Sequence, residues 1–319
     1  MERRAFLALG AAGLLTRPAR ADVFAGRVVH YESVASRRVD PRKVSVWLPP
    51  GYDAGVGRYN VLYMHDGQNL FDPATAPFGE WGVDEILSGM IARGEVPPTI
   101  VVGVWNTRKR YSEYAPTDLF ETVRQPTRGG LAAETHFPLQ GDDYLSFLCD
   151  ELKPFVDRTY RTRPQRRFTS TMGSSMGGLI SFYAGMKRPE VFGQVGCVSI
   201  HWPLGVGDSG GVPADVWKAD LLQALTDYLR RNLPRAGARN ATRWYFDGGT
   251  VGLDAAYAPY QAHVDAIYAA KGYVQGRDIL SRSYPGATHN EAAWRARLPI
   301  PLKFLLAPNS PVESGAGQA

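Results

Sequence analysis

Arg167-Phe168-Thr169-Ser170-Thr171-Met172-Gly173-Ser174-Ser175-Met176-Gly177-Gly178-Leu179-Ile180-Ser181-Phe182-Tyr183-Ala184 is the stretch that decides how this chain is read. Arg167–Met172 has the composition of a strand, and Met176–Lys187 follows it directly with a helical pattern. Between them lies G-x-S-x-G with Ser175 at its centre. A serine on so sharp a strand-to-helix turn needs neighbours without side chains, because a Cβ two residues to either side would collide with it or with the helix. The start of the helix directs amide N–H groups towards the serine, where a developing oxyanion would be held. Ser175 is therefore the expected nucleophile, with Met176 offering an oxyanion amide.

The flanking sequence repeats the strand–helix alternation. Strands are expected at Lys43–Leu48, Asn60–Met64, Thr99–Val104, Arg167–Met172, Gln194–Ile200, Arg243–Phe246 and Ile279–Tyr284. Several are apolar or β-branched throughout, as strands covered on both faces are. Helical periodicity marks Trp81–Arg93, Asp142–Thr159, Met176–Lys187, Ala255–Lys271 and Ala292–Leu306. This alternation predicts an α/β fold, a mostly parallel twisted sheet with helices on both faces. Two segments break the pattern, 106–140 and 203–240. They are expected to form walls or a small cap beyond the carboxyl ends of the strands, where ligands bind in open sheets.

A serine nucleophile needs a base and an acid, and in this type of sheet they follow it in the order acid, then histidine. Three histidines follow Ser175: His201, His263 and His289. His263 falls within a helix and reads as a packing residue. His201 ends a strand and is a candidate pocket residue with Trp202. His289 lies in the loop after the last strand, where the base belongs. The acid should follow the penultimate strand, in Phe246-Asp247-Gly248-Gly249-Thr250-Val251-Gly252-Leu253-Asp254. An acid that orients an imidazole must reach a neighbouring loop, and the longer excursion favours Asp254, with Asp247 as the alternative. A second oxyanion amide is expected after the third strand, in His65-Asp66-Gly67-Gln68-Asn69, from Gln68 or alternatively Gly67. Arg110 and Tyr111 are further substrate-binding candidates, and Trp81 and Trp105 could supply aromatic walls.

Composition sets the outer bounds. The chain has 319 residues, 44% hydrophobic and 21% charged, enough apolar material for one large domain. Its formal charge is +5. The first 21 residues combine Arg3-Arg4, an uncharged run from Ala5 to Leu15 and Ala19-x-Ala21, the layout of an export signal of twin-arginine type. Removing them takes away four arginines and one glutamate and brings +5 down to +2. That leaves no case for nucleic acid as a partner. No later segment is long and apolar enough to span a membrane. The expected organisation is a signal peptide at 1–21, one domain at 22–307 and a loose Pro/Ser/Gly-rich tail at 308–319, with a periplasmic or secreted location. Cys149 and Cys197 form no metal or CxxC spacing; an oxidising compartment would permit a disulfide between them, but their helix and strand contexts favour two buried free thiols. His65-Asp66 and His289…Glu291 lack a metal-site spacing, so neither metal nor organic cofactor is expected.

These pieces together resemble the putative-esterase branch of the α/β-hydrolases, which includes feruloyl and acetyl-xylan esterases, esterase D-like enzymes, siderophore esterases and mycolyl transferases. The resemblance rests on Val61-Leu62-Tyr63-Met64-His65-Asp66-Gly67-Gln68-Asn69-Leu70-Phe71-Asp72, Ile100-Val101-Val102-Gly103-Val104, Arg110-Tyr111-Ser112-Glu113-Tyr114-Ala115-Pro116, the Ser175 turn and Gly286-Ala287-Thr288-His289-Asn290-Glu291. It implies a serine carboxylesterase using Ser175, Asp254 and His289 on a small-molecule or glycan-linked ester. Members often carry the acid two residues after a Gly-Thr pair. Here Val251-Gly252-Leu253 separates Gly249-Thr250 from Asp254, which keeps Asp247 open. The alternatives are an acyltransferase sharing the acyl-enzyme and a non-catalytic glycan or siderophore binder.

Overall fold

The computed structural model describes residues 26–135, 138–204 and 211–307. The expected signal peptide, the tail and parts of both irregular segments lie outside the described residues.

Eight strands form one sheet in the order β1-β2-β4-β3-β5-β6-β7-β8. They are β1 (Arg27–Val34), β2 (Arg42–Leu48), β3 (Asn60–His65), β4 (Thr99–Val104), β5 (Thr169–Ser174), β6 (Gln194–Val198), β7 (Arg243–Gly249) and β8 (Ile279–Tyr284). β1 and β2 run antiparallel to their neighbours, and β4 through β8 are mutually parallel.

Side chains alternate between two cores, as the pleat requires. Val61 and Tyr63 of β3 join one apolar cluster, and Leu62 and Met64 join the other. The first cluster is covered by helices 141–159, Met176–Lys187, Ala214–Asn232 and Leu253–Ala270. The second is covered by Val83–Ala92, Glu291–Arg297 and Pro299–Leu306. Such two-sided cover explains why β3 and β4 are buried at every position.

Three features differ from the sequence reading. β1 is an additional strand. It is an edge strand with no fully buried residue, so its sequence carries little apolar signal. The helix expected over Ala292–Leu306 is two, Glu291–Arg297 and Pro299–Leu306, because Pro299 has no N–H to continue the first and starts the second instead. The helix expected over Asp142–Thr159 carries a π-helical turn at Phe147–Leu152.

Segment 106–140 contains three short helices, Arg110–Glu113, Thr117–Thr122 and Thr127–Thr135. It is anchored to the sheet by a buried ion pair. Arg42 of β2 donates to both carboxylate oxygens of Glu113, at 3.0 and 2.8 Å. The Thr107 hydroxyl adds a bond to Glu113 at 3.1 Å. Cys149 and Cys197 are both free and buried, and burial pushes both thiols up.

Glu113→Ala leaves a buried guanidinium without its partner. Urea denaturation should show the folded state weakened by about 3–5 kcal/mol. A loss of under about 1 kcal/mol would mean that this pair does not anchor the segment.

Candidate active site

β5 lies between β3 and β6 and ends at Ser174, so the next residue turns out over the carboxyl edge of the sheet. Ser175 has φ 56° and ψ −123°, a strained conformation for a residue with a side chain. Its N–H donates to the Val198 carbonyl at 2.9 Å. Its own carbonyl accepts from the amides of Leu179 at 3.0 Å and His201 at 3.2 Å. The glycines on either side are required sterically. A Cβ on Gly173 would sit 2.7 Å from the Gly177 carbonyl, and one on Gly177 would press on Asp66 Oδ2 at 3.2 Å.

Met176 opens the helix Met176–Lys187, so its amide has no partner within the helix. The loop after β3 approaches the same place. Asp66 takes left-handed angles, φ 57° and ψ 48°, and starts a single tight turn, Gly67–Asn69. Gly67 packs against β4 so closely that a Cβ would lie 2.5 Å from Gly103. The amide of Gln68 has no backbone acceptor among the described residues. Arg110 clamps this loop by donating to both oxygens of Asp66, at 2.7 and 2.8 Å, and Asn106 adds a third bond at 2.6 Å. Burial pushes the Asp66 carboxyl up, but Arg110 and Asn106 outweigh it and hold the group below the usual carboxylate range.

Asp254 and His289 meet. His289 Nδ1 lies 2.6 Å from Asp254 Oδ1. The other oxygen of Asp254 accepts from the Gly249 amide at 2.6 Å and the Ser199 hydroxyl at 2.7 Å. Burial raises the Asp254 carboxyl, but the bonds from His289, Ser199 and Gly249 prevail and hold it below its ordinary value. An ionised carboxylate only accepts, so Nδ1 carries a proton, and in the neutral imidazole Nε2 is the nitrogen with the lone pair. The imidazole is packed edge-on against Trp294 at 5.0 Å and Tyr257 at 5.6 Å. No hydrogen bond joins Ser175 Oγ to His289 among the described residues. Such bonds commonly tighten only when substrate binds. The two residues do share one neighbourhood. Ser175 is bonded to Val198 and His201, Asp254 is bonded to Ser199, and both His201 and His289 pack on Tyr257.

Asp247 stands apart from His289. Arg297 donates to both of its oxygens at 3.0 Å, Tyr245 to one at 2.7 Å, and the Ser199 amide to the other at 3.0 Å. Burial pushes its carboxyl up despite these partners. Asp254 is the acid in contact with the imidazole.

The remaining candidates divide. His201 is buried, with Nδ1 2.6 Å from the Tyr257 hydroxyl and Nε2 3.3 Å from that of Tyr111. Arg110 is bound to Asp66, so it shapes the loop that holds Gln68. Trp202 lines a cavity of about 320 Å³ beside Asp254 and Tyr257. It is fully buried against Phe182 and Phe246, with its indole N–H on Gln261 at 2.8 Å. Trp81 is likewise buried, paired with Trp294 at 5.7 Å. Trp105 is partly buried and donates to Ser45 at 2.9 Å. His263 packs between helices on Thr226 at 2.7 Å, as a helical histidine should. His65 is buried and pulled down to about 4 by desolvation, so it is neutral, with its ring nitrogens facing Tyr144 and Thr171. A cavity of about 900 Å³ lies at the opposite edge of the sheet, around Arg166, Arg243 and Phe304, and touches none of these residues. Ser199, Tyr257, Trp294 and Arg297 were not expected at the site. No motif marks them, and only the fold brings them to it.

Comparison with known proteins places the chain in a family. The chain matches the model of the family described as "Putative esterase" over residues 36–305. It is 25% identical over 167 residues to "Uncharacterized protein YbbA" of Bacillus subtilis, covering 52% of this chain and 60% of that one. It is 28% identical over 159 residues to "Endo-1,4-beta-xylanase/feruloyl esterase" of Xylanibacter ruminicola, covering 49% and 19%. It is 27% identical over 167 residues to "Siderophore enterobactin esterase" of Emericella nidulans, covering 50% and 53%. The chain thus spans 60% or less of the length of these curated relatives. Among solved structures, a ferulic acid esterase superposes with a TM-score of 0.60 at 18% identity, over 89% of this chain and 98% of that one. The enterobactin esterase of Shigella flexneri superposes with a TM-score of 0.60 at 20% identity, over 88% and 58%. The fold is that of an α/β-hydrolase. The family match begins before β2, ends within the helix Pro299–Leu306 and includes the positions of Ser175, Asp254 and His289, and the chain belongs to the "Putative esterase" family.

Proposed function

We propose that this chain is an exported serine carboxylesterase acting through an acyl-enzyme on Ser175. The observation that carries the reading is the 2.6 Å bond between Asp254 and His289, beside a serine held on a strained turn between Gly173 and Gly177.

On this reading substrate binding brings the Ser175 hydroxyl to Nε2 of His289. The lone pair of Nε2 takes the hydroxyl proton as Oγ attacks the ester carbonyl. Asp254 fixes the tautomer and stabilises the imidazolium that forms. The amides of Met176 and Gln68 receive the oxyanion. The intermediate collapses as the imidazolium passes its proton to the departing alkoxide, which leaves as the alcohol. Water, deprotonated by His289, then attacks the acyl-serine; the acid is released and Ser175 regains its proton. Met176 and Gln68 act through backbone alone, so the chemistry needs no particular side chain there.

The substrate is proposed to be a small-molecule or glycan-linked ester, since matched relatives bear the names feruloyl esterase and enterobactin esterase. Export rests on the twin-arginine-type pattern of residues 1–21.

Two experiments test the reading. Wild-type protein should react with a fluorophosphonate at Ser175 and hydrolyse at least one of a panel of feruloyl, acetyl-xylan, short-chain nitrophenyl and catecholate esters. Ser175→Ala should do neither. Labelling elsewhere, or no labelling at all, contradicts a nucleophilic Ser175. The second experiment compares the two acids. Asp254→Asn should lower kcat on the order of 10³–10⁴-fold, because the amide favours the wrong imidazole tautomer. Asp247→Asn should leave kcat within about tenfold while weakening the fold by about 3–5 kcal/mol, because it strips Arg297 of a buried counter-charge. The reverse ranking of the kcat losses would make Asp247 the acid.

A further inference from the structure

Ser199 follows β6 and sits at the centre of a buried polar cluster whose hydrogen bonds can be assigned one proton at a time. A serine hydroxyl has one proton to give and two lone pairs to receive. Trp294 Nε1–H donates to Ser199 Oγ at 3.0 Å, and Arg297 Nη2–H donates at 2.7 Å. Neither donor can accept in return. Both lone pairs are therefore occupied, and the one hydroxyl proton goes to Asp254 Oδ2 at 2.7 Å. The second proton on Arg297 Nη2 goes to Asp247 Oδ1, and Nε–H goes to Asp247 Oδ2. The direction of every bond from Arg297 to Asp254 is thus determined by chemistry.

Resting on the serine-esterase reading, we propose that Ser199 is a positioning residue, locked by Trp294 and Arg297 into donating to the acid. This keeps Asp254 ionised and leaves its Oδ1 edge to the imidazole. Oδ2 is filled by Ser199 and Gly249, so Oδ1 is the oxygen left for His289. Trp294 serves the same end twice, since its ring packs edge-on against His289 at 5.0 Å while its N–H orients Ser199. Arg297 contributes its charge without binding the acid, with Nη2 4.0 Å from Asp254 Oδ2. Its charge is largely balanced by Asp247, so it orders the cluster without drawing the Asp254 carboxylate away from the base.

The backbone of Ser199 is part of the device. Its φ is 42°, in the left-handed region. That turn sends the amide to Asp247 at 3.0 Å while the hydroxyl faces Asp254. It also supplies a clean variant. Glycine adopts such angles without strain, so Ser199→Gly removes the hydroxyl at little backbone cost.

Removing the donor leaves the Asp254 carboxylate less stabilised and a stronger acceptor for an imidazolium proton. More of the base is then protonated at a given pH, and the acid limb of the kcat/KM profile moves upward. For Ser199→Gly the expected changes are a fall in kcat of about 10- to 100-fold, a KM within about threefold, and an acid limb raised by about half a unit to one unit. Trp294→Phe keeps a ring beside His289 but frees one lone pair of Ser199, and should move the limb in the same direction by less. Wild type and Ser175→Ala are measured alongside. If Ser175→Ala is inactive and Ser199→Gly keeps kcat within twofold with an unmoved limb, the positioning role is overturned and the serine reading stands. If Ser199→Gly loses kcat with the limb unmoved, the hydroxyl serves packing alone and the proposal is again overturned. Activity retained by Ser175→Ala overturns both.

Discussion

The site depends first on a single backbone conformation. Ser175 is held at φ 56° and ψ −123° between a strand and a helix, at a cost of about 1–3 kcal/mol. The surrounding structure over-determines it. β5 is paired on both sides, the helix Met176–Lys187 is buried at eleven of its twelve positions, and Gly173 meets Gly177 where no Cβ could fit. The strain is carried because the same turn raises the hydroxyl clear of the sheet and aims the first helical amides beside it.

A second constraint joins Asp254 to His289. The loop after β7 and the loop after β8 are tied together by main-chain bonds. Thr250 and Val251 donate to the Ala287 carbonyl at 3.1 and 3.2 Å, and Gly286 donates to Thr250 Oγ1 at 2.9 Å. Gly249 makes this closeness possible, since a Cβ there would meet the Ala287 oxygen and lie 2.8 Å from Asp254 Oδ2. The loop after β3 is fixed in a different way, through Asp66 and Arg110, and it is Arg42 on Glu113 that ties down the segment carrying Arg110. An ion pair remote from Ser175 thereby supports the loop that carries the Gln68 amide. The two carboxylates near β7 illustrate how environment assigns roles. Bonds from Ser199, Gly249 and the His289 imidazole hold Asp254 ionised, whereas Asp247, equally buried, is tied to Arg297.

How much of this could be read from the sequence follows from what each feature costs. The Ser175 turn is legible because its geometry demands glycines at fixed spacing, and the central strands because burial on both faces demands apolar residues. The meeting of His289 with Asp254 is legible from chain order and from the position of His289 after the last strand. β1 is hardly legible, since an edge strand with half-exposed positions needs no distinctive composition. The choice between Asp254 and Asp247 stayed open because it depends on Arg297, fifty residues after Asp247. Trp202, just past a strand end, both packs on Phe182 and Phe246 and lines the cavity beside Asp254. Ser199 had no signal at all. Its role exists only once Trp294 and Arg297, one turn apart on a helix, are folded against the end of β6.

The most direct test of the account is a crystal structure of the protein inhibited by a phosphonate ester. The account predicts phosphorus bonded to Ser175 Oγ, with one phosphonyl oxygen at about 2.7–3.1 Å from the amides of Met176 and Gln68 and Nε2 of His289 turned towards the adduct. An adduct on another residue, or one whose oxygen points away from both amides with His289 still facing elsewhere, would contradict it.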